Sequence, residues 1–315
     1  MEEERKLYPI RFCPIEDKYC WGSEEFDVAD LGYRDSFVRD GWLAANSLSE
    51  VMEMYMDRVT GENAFEIYGR QFPVQVKHIR CRGRMPLRVH PDDETAAQRY
   101  DALGREKFWY VLKASKGAKL MIGFDREMDA GSLIESCADG SIAAKMRCID
   151  AVKGECFRIA PGTVHGAEGE VDILEVSESS ALDFCVYTWG QTPLEDEFDP
   201  SMNVVDALDF IRFTPDDGFR NASTDRFTVN MVSLKSKVSI PTGDSFLIYV
   251  CLEGQAVLTT GEGGVGLPYR LEEGETLLVP NDCQDFVMEP EGKEASLMEI
   301  LVEKRTFTDP YLNEK

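Results

Sequence analysis

Among 315 residues there are three histidines, His78, His90 and His165, and two of them stand in unusual contexts. His90 ends the run Leu87-Arg88-Val89-His90 and is followed by Pro91-Asp92-Asp93. In an extended strand alternate side chains share a face, so Arg88 and His90 point the same way. His165 closes Pro161-Gly162-Thr163-Val164-His165, a tight turn that delivers a histidine to the start of the next strand. Two imidazoles presented from strands of one barrel could share a metal ion. The plain alternative is two unrelated polar residues at strand ends. His78, mid-strand beside Lys77, reads as a satisfied structural histidine. Asp92 and Asp93, just after Pro91, read as caps of the following helix.

The elements that must position these residues are mostly strands. Residues 73–89 read as two strands around a glycine-centred turn, and residues 107–113 as an aromatic-rich strand. Strands are also expected at 155–160, 171–177 and 183–189. Helices are expected at 43–58, at 94–103 with Gly104 as its stop, at 130–147 with a break, and at 203–213. Ser47, with Glu50 three residues on, is a capping box for the first of them. From about residue 225 short strands alternate regularly with turn signals, the pattern of a barrel or double-sheet roll. The expected fold is mainly β: two cupin-like β-barrel (jelly-roll) domains, with helical insertions in the first. The expected division is 1–200 for the domain carrying the site, 201–224 for a connecting helix and linker, and 225–315 for the smaller domain. The acidic stretch 191–200 is the best linker candidate.

Charge narrows the function classes. Lys plus Arg number 34 and Asp plus Glu 58, a formal net charge of −24. Nucleic-acid binding needs a basic face, and anionic membrane attracts basic segments, so neither partner is expected. A small anion held in a local basic pocket stays open. No stretch approaches the roughly 18 apolar residues of a membrane helix, and the first residues lack the apolar core of a signal peptide. The nine cysteines are odd in number, scattered and without a C-x-x-C pair. Free thiols in a reducing cytoplasm are the expectation, and a zinc ribbon is excluded. The pattern specifies no oligomeric state.

The sequence resembles the class I mannose-6-phosphate isomerases, zinc-dependent enzymes built from cupin-type barrels. Phe72-Pro73-Val74-Gln75-Val76-Lys77 resembles the family's F-P-L-L-x-K strand. Val89-His90-Pro91-Asp92-Asp93 matches its Q-V-H-P-D-D, and Phe108-Trp109-Tyr110 resembles the end of its E-x-W-Y. Pro161-Gly162-Thr163-Val164-His165 resembles P-x-G-T-x-H-A, and Leu174-Glu175 with Ser179-Ser180 resembles L-E-x-x-x-S-S-D. The stretch from Ser245 to Pro280 resembles the family's small second cupin domain. The resemblance therefore covers most of the chain.

It implies an aldose–ketose isomerase of a hexose 6-phosphate, with a base moving a proton between C1 and C2 through an enediol. It also implies zinc, held by the Gln and His of Q-V-H, the Glu of E-x-W-Y and the His of G-T-x-H. Carried over, the two histidines fall on His90 and His165. The Gln falls on Arg88 and the Glu on Lys107, neither of which offers a lone pair when protonated. The pocket carboxylate falls on Glu175, a candidate catalytic residue, but the Arg ten residues later falls on Cys185. Glu106 restores a carboxylate ligand only if the strand slips by one residue, which turns its side chain to the other face. Arg105 sits where many members have a Lys. It is either a sugar-phosphate contact or a solvated loop residue.

Arg88 and Lys107 bring two positive charges in place of the metal's. They are expected to pair with Glu175 or Asp92, or to bind an anionic ligand; the plain alternative is a pocket decaying without selection, its charges paired with one another. The expectation is thus a mannose-6-phosphate isomerase-like protein with impaired or lost zinc-dependent catalysis, holding zinc weakly or not at all. The alternative is a non-catalytic sugar-phosphate-binding cupin, a sensor or accessory protein. Its partner in either case is a phosphosugar or similar small anion, bound through Arg88, Lys107 and Arg105.

Overall fold

The computed structural model describes residues 5–303 apart from 198, 200, 216–218, 221–223, 242, 262, 263 and 265. The chain is mainly β and divides into two compact units, neither continuous in sequence. One comprises residues 1–12, 37–73 and 227–315, the other 13–36 and 74–226. The helical segment near residue 50 therefore belongs with the C-terminal strands, not inside the first domain. Residues 201–224 belong to the other unit rather than forming a separate connector. Part of that stretch, and residues 304–315 of the expected second domain, lie outside the described residues.

The unit carrying the candidate residues is built on one large curled sheet. Its centre is the long strand His165–Glu178, antiparallel to Val74–Arg84 along 11 paired positions. The same strand pairs with Lys107–Ala114, with Lys119–Phe124 and, at His165, with Leu87–Val89. Sharing so many partners is possible because the strand is long and irregular: its register against Lys107–Ala114 shifts between Asp172 and Ile173. Strand Gly22–Val28 extends the sheet beyond Val74–Arg84. One core cluster, including Trp21, Ile79, Trp109, Val111, Phe157 and Ile173, lies on this sheet. Each such fully buried side chain contributes about 1.5–3 kcal/mol.

Local punctuation follows the sequence in part. Asp92 caps the helix Asp93–Tyr100, its side chain accepting the Thr95 N–H at 2.8 Å. The helix stops at Asp101, which takes the left-handed conformation, before Gly104 is reached. Residues 130–147 divide into a helix Ala130–Asp139, a 3-10 turn and the start of strand Met146–Asp150. The helix expected at 203–213 reduces to a 3-10 turn, Val204–Ala207. The residues after it are drawn off by tertiary bonds, Arg212 N–H donating to the Gly162 carbonyl at 2.8 Å.

The other unit holds two four-stranded antiparallel sheets around one core. The first runs Thr228–Leu234, Ala295–Leu301, Leu247–Glu253, Thr276–Val279; the second runs Val238–Ile240, Phe286–Pro290, Gln255–Thr260, Pro268–Glu272. Its helical part begins at Leu48–Tyr55, with the capping box of Ser47 and Glu50 formed as expected. Met56, at φ 48°, breaks the helix before Asp57–Thr60. No helix among the described residues is long and apolar enough to cross a membrane.

Candidate active site

The short strand Leu87–Val89 and the strand starting at His165 are neighbours, with Arg88 opposite His165. The Pro-Gly turn before His165 locks this arrangement. Gly162 donates its N–H to the His90 carbonyl at 2.7 Å, and a Cβ there would sit 2.4 Å from the Phe210 carbonyl oxygen. Gly162 also has φ of +79°, so glycine is required twice over. The outcome is that the two imidazoles stack, ring centroids 5.1 Å apart. Trp109 meets His165 edge-on at 5.4 Å.

The His165 Nδ1–H donates to the Thr163 carbonyl at 2.9 Å, leaving Nε2 without a hydrogen-bond partner. Burial and then the neighbouring Lys107 pull its pKa down to about 3, so Nε2 carries a free lone pair at neutral pH. His90 is lowered in the same way, by burial and Lys107. Its Nε2 lies 3.2 Å from Asp183 Oδ1, close enough for electrostatic pairing, but the angle does not make a hydrogen bond.

Around this pair lies a buried ionic network. Strand alternation places Lys107 and Trp109 on one face and Glu175 opposite Trp109. Lys107 Nζ stands 3.2 Å from Glu175 Oε2, which also accepts the Trp109 indole N–H at 2.6 Å. Lys77 Nζ lies 3.5 Å from Glu175 Oε1 and 2.9 Å from Glu24 Oε2. Arg105 is 4.0 Å from Glu175. Arg88 donates to Asp183 at 2.8 Å and approaches Asp199 at 3.3 Å. Four cations therefore meet four carboxylates. Burial opposes ionisation of Glu175, but Lys107, Lys77, Arg105 and the Trp109 bond outweigh it and hold its pKa well below the usual carboxylate range. Lys107 pays the opposite way: burial, against the pull of Glu175, brings it down to about 7.

The structure thus brings Arg88, His90, Lys107, His165, Glu175 and Arg105 into one network and leaves Glu106 out of it. Glu106 faces the other side of the strand, its carboxylate bound to Arg158 and to the Asp225 N–H. The one-residue slip does not occur, and Glu106 is corrected from conditional ligand to a residue outside the site. Arg105 is 2% exposed, which removes the solvated-loop reading. Arg88 pairs with Asp183 and Asp199, not with Asp92. Cys185 lies opposite Arg88, its thiol pushed up to about 11 chiefly by burial. His78 pairs with Asp27 at 3.1 Å, the structural role expected. Sequence reasoning missed Asp183, Glu24 and the role of Lys77. Their signal is charge on otherwise apolar strand faces, as in Glu24 two residues before Phe26 and Lys77 within Val74–Ile79.

The donor set fits zinc poorly. His165 Nε2 has no hydrogen-bond partner, whereas His90 Nε2 already faces Asp183 Oδ1 at 3.2 Å. The other two positions hold a guanidinium, which has no lone pair, and the Lys107 amine, which is engaged with Glu175 at 3.2 Å. Among the described residues no group of three or more His, Cys, Asp or Glu is arranged to hold a metal ion.

The family model for the cupin domain of mannose-6-phosphate isomerase matches residues 219–297. Mannose-6-phosphate isomerase of Streptococcus mutans is 25% identical over 239 residues, 70% of this chain and 73% of that protein. Mannose-6-phosphate isomerase ManA of Bacillus subtilis is 22% identical over 316 residues, 89% of this chain and 96% of that one. The crystal structure of the mannose 6-phosphate isomerase from Bacillus subtilis shares the fold, with a TM-score of 0.77 and 19% identity over 93% of this chain and 99% of that one. The sequence motifs, the curated relatives and the fold agree: the chain is similar to the mannose-6-phosphate isomerases along most of its length, and its residues 219–297 match that family's cupin domain.

Proposed function

We propose that this chain is a mannose-6-phosphate isomerase-like protein of the cytoplasm that has lost zinc-dependent catalysis and binds a phosphosugar in a metal-free site. Both of its sheet systems are read as cupin-type jelly rolls. The observation that carries the reading is the 3.2 Å contact of Lys107 with Glu175, in the place where the family pattern has a metal-ligating Glu. Zinc would polarise the sugar oxygens and stabilise developing negative charge. Here that task would fall on side-chain cations that are already neutralised by carboxylates. Glu175, held ionised by three cations, is a weak proton acceptor. His165 Nε2, which has no hydrogen-bond partner, and Glu175 Oε1, which has ion-pair neighbours but no hydrogen bond, accept hydrogen bonds, which suits sugar hydroxyls.

A second reading rests on one feature. Lys107, brought down to about 7, is a proton carrier poised near neutrality beside a neutral histidine pair. Residual metal-independent isomerisation through Lys107 would follow from it. A coupled assay of mannose 6-phosphate isomerisation, beside calorimetric titration with the same sugar, separates the two. Binding with turnover at least about a thousand-fold below an active family member supports loss of catalysis. Turnover that resists chelator and disappears in Lys107→Met supports the second reading. Turnover at an ordinary rate that chelator abolishes contradicts both.

A further inference from the structure

On the far side of the strand that carries Lys107, the same unit contains a cavity of about 350 Å³. We propose that it is a second binding site, for a small organic cation bearing primary ammonium groups, formed by Asp93, Glu106, Glu178 and Asp225 with Arg158 and Arg226. Strand alternation separates it from the histidine pair: Lys107 points into one space and Glu106 into the other.

Charge decides the ligand class. The described wall carries six carboxyl side chains and three guanidiniums. Arg158 is shared between Glu106 and Asp225, and Arg226 between Asp93 and Glu178. Each arginine therefore has two carboxyls to satisfy, and each trio is one positive charge short when fully ionised. An incoming phosphate would meet six carboxyl side chains, with Arg158 and Arg226 already engaged by four of them. An incoming ammonium would meet the deficit directly.

The second observation is Glu178. It is 1% exposed and lines the cavity, yet its Oε1 has no hydrogen-bond partner. The nearest cation, Arg226 Nε, stands off at 3.8 Å, while Oε2 accepts the Glu106 N–H at 2.8 Å. A buried carboxyl oxygen left without a donor marks a position that a ligand donor would fill. Burial first, then Asp93, raises the Glu178 pKa to about 8, so the group keeps its proton in the absence of a cation. A divalent metal fits less well, because among the described residues no three such groups converge on one point. Carboxyls spread around a cavity of this size suit a ligand whose donors are also spread.

The test is calorimetric titration of the full chain with 1,4-diaminobutane at pH 7, in two buffers of different ionisation enthalpy. Inorganic phosphate and magnesium chloride are titrated alongside. The diamine should bind, release a proton as Glu178 ionises, and weaken as salt is raised. Glu178→Gln should weaken it at least tenfold and remove the proton release. Asp225→Asn, at an exposed position, should weaken it several-fold and serves as the reporter if Glu178→Gln does not fold. No diamine binding, or binding indifferent to the folded variants, overturns the proposal. So does phosphate or magnesium binding that these variants abolish while the diamine remains inert. Phosphosugar binding at Lys107 and Glu175 is measured separately in the same variants, so the two sites stand or fall apart.

Discussion

The sheet pair of residues 228–301 closes on Leu247, Tyr249, Leu258, Leu277, Phe286 and Leu297, whereas the curled sheet around His165–Glu178 encloses Lys77, Arg88, Lys107 and Glu175. The two interiors come from one chain, and both bury most of their side chains from water. In the first, the Tyr249 hydroxyl reaches the rim at Glu299 and the remainder is apolar side chains. In the second, buried charge is tolerated only because each ion has an opposite neighbour. Buried ion pairs are weak sources of stability against an apolar alternative, yet breaking one is costly. A network of that kind therefore speaks for a function, present or inherited, where the apolar core speaks for packing alone.

The contrast is sharpest where one partner is removed. Glu175→Gln takes the carboxylate from Lys107 and Arg105, leaves Lys77 with Glu24 alone, and should cost about 3–5 kcal/mol of stability. Removing both partners, as Glu175→Leu with Lys107→Met, should recover much of that loss. Leu297→Ala in the apolar core should cost about 2–5 kcal/mol, with no single second substitution to rescue it by charge. Urea unfolding of the four proteins measures this. A loss under about 1 kcal/mol for Glu175→Gln would mean that the network is not closed as described.

Protons distinguish the interiors next. Glu178 has a folded pKa of about 8 against an ordinary 4.5, so the folded chain binds more protons between those values. Its contribution to stability is present below pH 4.5 and is lost as pH rises to about 8. Glu178→Gln should gain on the parent across that window, by up to about 1.4 kcal/mol per pH unit. His165 works in the other direction. With a folded pKa of about 3 against 6.5, it takes up protons on unfolding, and stability falls as pH drops between those values. Lys107, at about 7 against 10.5, makes stability rise with pH over that range, and Lys107→Met should remove the rise. Thermal melts across pH follow all three.

Smaller effects come from single bonds. Trp109→Phe deletes the indole bond to Glu175 and should cost about 1.5–3 kcal/mol, since the acceptor is charged. Ser47→Ala removes a helix cap in the other unit and should cost about 1 kcal/mol, independent of pH near neutrality. If the two losses are equal and equally insensitive to pH, the two regions differ less than their side chains suggest.

Much of this was legible in the sequence, for physical reasons. Period-two alternation put Arg88 with His90 and turned Glu106 away from Lys107, and the Ser47 and Glu50 cap was readable from spacing. What was not legible was set by tertiary contacts. Residues 203–213 have a helical pattern, but Arg212 bonds to Gly162 and the segment stays irregular. The helices near residue 50 join strands almost 200 positions away, which no local signal specifies. Asp183 carries no local signal of its own in the stretch Ala181-Leu182-Asp183-Phe184-Cys185. Only the register beside Leu87–Val89 reveals that Asp183 pairs with Arg88.

The central claim is that a buried ion pair has taken the place of the metal, and zinc binding tests it most directly. The full chain is dialysed against chelator and its zinc measured, and the Arg88→Gln, Lys107→Glu double variant is titrated calorimetrically with zinc beside it. The account predicts no stoichiometric zinc in the parent and a new zinc site in the variant, formed with His90 and His165. About one zinc per chain retained by the parent, or a folded variant without zinc affinity, would contradict it.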